Sequence, residues 1–162
     1  FADHDYPRTI TVPFCPESRL SGIGFTDFIP CCWYRRTITL SDAQLSGRAI
    51  LHFGAVDYTA HIYVNGEEAG THTGGYASFA IDVTDKLHVG ENTLVVCALD
   101  DTRGLHQPTG KQCDRYASYS CLYTRTTGIW QTVWLEFTPE THIESLRYHT
   151  NIHNATIIIE AS

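Results

Sequence analysis

Short runs rich in Val, Ile, Thr, Tyr and Phe recur along the chain, each closed by turn-forming residues, and this punctuation commits it to an all-β fold. The runs fall at residues 9–12, 33–40, 49–53, 59–65, 68–72, 78–83, 92–99, 129–137, 142–149 and 155–160. Between TAHIYV and EEAGTH stands Asn65-Gly66, the pair that tolerates the two positive φ angles of a tight hairpin turn, so these two runs are expected to be neighbouring antiparallel strands. Residues 84–87 have room for one helical turn at most, with Thr84 or Asp85 as its cap. Strands at this spacing predict an antiparallel β-sandwich.

A chain of 162 residues is the size of one domain with a sizeable core. The charge balance narrows the partners: 11 Lys+Arg against 18 Asp+Glu give −7, with no basic run to neutralise phosphates, so neither nucleic acid nor an anionic membrane surface is expected. No apolar stretch approaches the roughly 20 residues of a membrane-spanning helix. The chain opens on Phe1 and contains no Met, as expected of a segment of a longer protein. The six cysteines match no small disulfide scaffold and are expected to be free thiols, which points to a reducing, cytoplasmic compartment.

Hydrolytic chemistry is not written into any local motif. Glycosidic cleavage needs two carboxyl groups flanking the bond, yet Glu67 and Glu68 sit beside the hairpin turn, Glu17, Glu91, Glu140 and Glu144 fall in or near connections, and Glu136 belongs at a strand rim or in an ion pair with an Arg. The nine histidines form no H-x-x-x-H pair and join no C-x-x-C, so neither a metal nor a cofactor is expected; His61 and His72 are expected to face each other across the hairpin as a polar pair. Ser21–Gly24 lacks the strand-to-helix setting of a nucleophile elbow, and Gly74-Gly75 reads as a turn.

Two features remain. In the run 129–137, Ile129, Val133, Leu135 and Phe137 fill one face while Trp130, Thr132, Trp134 and Glu136 line the other; the tryptophans could stack on sugar, although packing against protein is the expectation. The stretch from Asp100 to about Thr127 has no strand character and exceeds the roughly 12–15 residues a compact domain leaves irregular, the usual sign of a functional loop. It offers donors (Arg103, His106, Gln107, Lys111, Gln112, Arg115, Arg125) and flat faces (Tyr116, Tyr119, Tyr123).

Three motifs in order, VPFCPESRLSGIG at 12–24, LHFGAVDYTAHIYVNGEEAGTHTGGYASFAIDVTDKL at 51–87 and TTGIWQTVWLE at 126–136, resemble the N-terminal sugar-binding domain of glycoside hydrolase family 2 over residues 7–138. That resemblance implies a jelly-roll-like, galactose-binding-domain-like sandwich over 1–138. It implies that 139–162 is a linker with the first strands of a following immunoglobulin-like domain, extra edge strands being the alternative. It also implies a retaining β-glycosidase, of β-galactosidase, β-glucuronidase or β-mannosidase type, whose catalytic glutamates lie on a separate barrel. The fragment itself is then non-catalytic, with a β-glycoside and the parent's other domains as partners and a homo-oligomeric parent allowed. Where some members of that family place a sugar-binding aspartate, six residues before the motif's glycine, this chain has Leu122. GKQ at 110–112 and YTRTTG at 123–128 look like a bacterial branch of varied substrates, and the resemblance nominates Asp27, Lys111, Gln112, Tyr123 and Arg125 for the rim of the substrate pocket, with loop ordering and interdomain contact as the other role for them. An autonomous carbohydrate-binding module and a structural interaction sandwich are the competing classes.

Overall fold

Alternation decides which side of each strand meets the core, since successive side chains point to opposite faces. In β2 (Arg48–Phe53), Ala49, Leu51 and Phe53 are buried; in β4 (Thr59–Val64), Ala60, Ile62 and Val64 are. A computed structural model of the chain describes residues 5–104 and 106–162. In it these two strands belong to opposed antiparallel sheets. One is ordered β1-β7-β4-β5, with β1 Cys31–Leu40, β5 Glu67–Thr73 and β7 Gly90–Leu99; the other is ordered β6-β2-β9, with β6 Phe79–Asp82 and β9 Val133–Thr138. Tyr34, Val96 and Ala98 join Ile62 from the first sheet, and Leu51, Phe53, Leu135 and Phe137 meet them from the second. The fold is the expected all-β sandwich.

Asn65 and Gly66 take φ of 52° and 87°, so the hairpin forms where Asn-Gly places it, with Val64 opposite Glu67. A bulge then leaves Ala69 as an extra residue between the pairs Tyr63–Glu68 and Ile62–Gly70. The two-residue turn would set His61 opposite Gly70, and with the bulge it falls opposite Thr71 and His72 opposite Ala60, so in neither register does the expected histidine pair form. His72 stacks on Phe79 with ring centroids 4.0 Å apart, and His61 Nδ1 lies 3.5 Å from Glu68 Oε1.

Three further expectations are corrected. Residues 9–12 form no strand: Phe14 N donates to Thr11 O as the chain turns at Pro13, and Thr11 N donates to Ser21 O. The run 129–137 is two strands, β8 (Gly128–Ile129) paired with β3 (Val56–Asp57) and β9 paired with β2, because both ribbons bend together. At that corner a Cβ on Gly54 would fall 2.6 Å from Gln131 Cβ, so only glycine lets the backbones approach. The helical turn at Thr84–Lys86 has Val83 at its N-cap, with no side-chain cap, so neither Thr84 nor Asp85 caps it; Asp82, one residue earlier, accepts at Oδ1 from Thr84 N and Oγ1 at 3.0 and 2.5 Å.

Strands β10 (Leu146–Asn151) and β11 (Thr156–Ala161) pair with each other only, among the described residues, and every residue in them is exposed. The hairpin, in contrast, is locked to the body of the domain by Asn92, which is fully buried in β7. Its Oδ1 accepts from Asn65 Nδ2 (2.9 Å) and His88 N (3.0 Å), and its Nδ2 donates to His88 O (2.7 Å) and Gly90 O (3.1 Å). Truncation removes all four bonds of a fully buried amide at once. Asn92→Ala is accordingly expected to cost about 2–4 kcal/mol in urea unfolding, and a loss under about 0.5 kcal/mol, the scale of a surface change, contradicts that role.

Candidate functional site

The irregular stretch 100–127 has no hydrophobic strand of its own, so polar contacts must hold it to the sandwich. Gln112 and Tyr123 make an isolated parallel bridge, with Cys113 N donating to Tyr123 O (2.8 Å) and Tyr123 N to Lys111 O (3.0 Å). That bridge carries the buried Gln112 amide against the end of β3, where Nε2 donates to Asp57 Oδ2 at 2.7 Å. Its Oε1 accepts from Thr126 N at 2.7 Å, so one side chain ties both legs of the loop to the sheet.

A cleft of about 240 Å³ opens beside this bond, lined by Asp57, Tyr76, Gln112, Tyr123, Thr126 and Trp130. Gly74 and Gly75 bring Tyr76 across it; the Trp130 indole donates to Gly75 O at 2.8 Å and meets the Tyr76 ring edge to face at 6.0 Å. A Cβ on Gly75 would lie 2.3 Å from Asp57 Oδ1, so glycine is required for the loop to close over the carboxylate. Asp57 is 1% exposed, and its Oδ1 has no hydrogen-bond partner. Burial, followed by the charges of Asp100 and Glu17, pushes its carboxyl up to about 6, against the opposing pull of the Gln112 amide.

Those two other buried acids serve the loop's exit. Both Glu17 oxygens accept from Thr127 N at 3.2 Å; Asp100 accepts from Thr127 Oγ1 (3.0 Å) and Gln107 Nε2 (2.7 Å). Burial raises both carboxyls. Neither lines the cleft, which leaves Asp57 as its one carboxylate among the described residues, and a single carboxylate cannot supply the acid and the nucleophile of glycosidic cleavage. Among the described residues, no three His, Cys, Asp or Glu side chains gather as a metal would need.

The five residues nominated by sequence divide into separate places. Gln112 and Tyr123, the latter 45% exposed, line the cleft, and Lys111 is exposed beside them. Arg125 is 2% exposed: Nη1 donates to Cys113 O (3.1 Å) and Arg115 O, Nη2 donates to Thr26 O, and the guanidinium lies 4.1 Å over the Phe28 ring. Its Nη groups thus tie the long loop to itself and to the 22–30 segment, while Nε is buried without a partner. Asp27 is exposed on that segment, accepting from Phe28 N at 2.7 Å, outside the cleft lining. Asp57, Tyr76 and Thr126 were not foreseen. The available signal was an acidic residue inside the apolar run FGAVDYTAHIYV, where a charge has no business unless bonded. Trp134 lies elsewhere, on the outer face of β9, stacked on His52 at 4.6 Å, while Glu136, exposed on that edge strand, pairs with His52 Nε2 at 2.8 Å and not with an Arg.

Two outcomes are expected. The folded chain holds Asp57's proton to higher pH than the unfolded chain, so that contribution to stability is full below the ordinary carboxylate pKa of about 3.9 and is lost as pH rises through about 6. Asp57→Asn should flatten the stability profile between about pH 4 and 6 and leave the chain at least as stable as the parent near neutrality; an unchanged profile contradicts the raised carboxyl. Arg125→Ala strands three carbonyls, so trypsin cleavage within 100–127 should accelerate at least about tenfold, and Arg125→Lys, lacking the planar fork, should not rescue it. Unaltered cleavage rates contradict the clamp.

Comparison with known proteins gives this geometry its context. The profile described as "Glycosyl hydrolases family 2, sugar binding domain" matches residues 1–139. The β-galactosidase of Thermoanaerobacter pseudethanolicus is 30% identical over 118 residues, which are 72% of this chain and 15% of that protein. The crystal structure of Bacteroides uniformis β-glucuronidase superposes with a TM-score of 0.60 at 30% identity, covering 72% of this chain and 13% of that one. A β-glucuronidase from an uncultured Clostridium species reaches a TM-score of 0.68 at 25% identity, over 93% and 27%. The matched region is 13% and 15% of the length of the first two curated relatives. Sandwich, motifs and matches agree: the chain belongs to the sugar-binding domain family of the family 2 glycosyl hydrolases.

Proposed function

We propose that this domain is the non-catalytic wall of a β-glycosidase's substrate pocket, with the loop 100–127 as the part that faces sugar. The observation that carries the reading is a cleft with aromatic sides and one carboxylate, held on a rigid sandwich: such a site can orient a hydroxylated ring but cannot cleave its bond. The relatives named β-galactosidase and β-glucuronidase support β-glycoside hydrolysis as the activity of the whole protein, with its two catalytic carboxylates outside these residues. Lys111, Gln112 and Tyr123 form the sugar-facing side of the loop, and Arg125 acts by positioning it. Asp27 on the adjoining segment lies at the outer rim.

In this reading the domain ends near 138, and 139–162 open a following immunoglobulin-like unit; the β10–β11 hairpin, paired only with itself among the described residues, supports that division. A reducing, cytoplasmic compartment is the setting this reading assumes for its six cysteines.

Assay with nitrophenyl β-galactoside and β-glucuronide tests the division of labour. The 162-residue chain is expected to give no turnover above buffer, and the whole protein to hydrolyse at least one of them. Turnover by the isolated chain, or a whole protein inert on β-glycosides of every type, overturns the reading.

A further inference from the structure

The cleft beside Asp57 carries a charge pattern that constrains the sugar. Of its lining residues, Asp57 is the one that bears a charge; Tyr76, Tyr123 and Trp130 are aromatic, and Gln112 and Thr126 are neutral. The charges that act on Asp57 are the carboxylates of Asp100 and Glu17, which add to its negative field. Cations are close in sequence but do not offset it. Arg125, whose carbonyl bonds leave its charge intact, acts on Asp100 and is not among the groups that shift Asp57, and Lys111 is exposed outside the lining. Asp57 Oδ2 takes the Gln112 amide while Oδ1 is left without a donor in a site where buried acceptors are normally satisfied.

We propose that this cleft seats one ring of a neutral, hydroxyl-rich sugar and that Asp57 makes it discriminate against a uronate. The inference rests on the sugar-binding reading above and adds the class of sugar. Aromatic sides suit the C–H faces of a pyranose. A ring hydroxyl, or a water carried with it, is the donor that Oδ1 lacks. A uronate would instead bring a second negative charge to an uncompensated carboxylate in a poorly solvated place, and like charges so placed repel. At about 240 Å³ the space is smaller than the roughly 300–1,000 Å³ of sites for larger ligands, as expected for a single ring.

The test is a titration of the ¹⁵N-labelled chain at about pH 7.5, where an Asp with a carboxyl near 6 is ionised, with methyl β-galactopyranoside and methyl β-glucuronide, followed at the Trp130 indole N–H. Movement of that signal by the neutral glycoside at millimolar concentration, with the uronide at least about tenfold weaker, is expected. In Asp57→Asn the gap should shrink to within about twofold. Because the two ligands are compared on the unaltered chain, the result stands even if that variant fails to fold. Equal or tighter binding of the uronide overturns the proposal, as does a Trp130 signal that moves with neither sugar. Shifts confined to the surroundings of Asp27 and Tyr116 also overturn this cleft as the site, while leaving the sugar-binding reading intact.

Discussion

A buried hydrogen bond between Gln112 Nε2 and Asp57 Oδ2 fastens a long strandless loop to a β-sandwich, and the shape of the candidate site follows from it. The sandwich needs no such help, since its strands satisfy one another's backbone groups and its core excludes water. The loop has neither resource. Its order comes from polar side chains taken out of water: Gln112 across both of its legs, Arg125 on three carbonyls, and Thr127 between Glu17 and Asp100.

This economy has a cost that falls where function is expected. Three carboxyl groups, those of Glu17, Asp57 and Asp100, are buried, and burial raises the pKa of each. A domain under selection for stability alone would replace them with apolar residues. Glu17 and Asp100 recover part of the cost by accepting N–H and O–H donors, whereas Asp57 keeps one oxygen without a partner beside the cleft. An unsatisfied buried acceptor at the edge of an aromatic-sided cavity is the kind of local penalty that persists when a ligand relieves it.

Much of the scaffold was legible in the sequence, because strand alternation and an Asn-Gly turn act over a few residues. Ile129, Leu135 and Phe137 fell on the core side as the alternation of their run required, and φ at Asn65 and Gly66 took the expected sign. Errors arose where a run was read without the turns and neighbours that set its register or its end. The two-residue turn at Asn65-Gly66 puts His61 and His72 out of register, Pro13 turns residues 9–12 out of any sheet, and the distant approach of Gly54 and Gln131 cuts one run into β8 and β9. At the candidate site, the loop's length and composition and the family resemblance nominated Gln112 and Tyr123, and both line the cleft. Asp57 was missed because it lies 55 residues from its partner, a pairing that no local pattern encodes.

The division between a rigid sandwich and a polar, sugar-facing loop bears most directly on one observable, the position of a bound sugar. A crystal structure of the whole protein with an unhydrolysed β-glycoside should show a sugar ring within about 4 Å of the Trp130 or Tyr123 ring, with both catalytic carboxylates supplied from outside this domain. A substrate pocket that the 100–127 loop does not touch, or a catalytic carboxylate contributed by this chain, would contradict it.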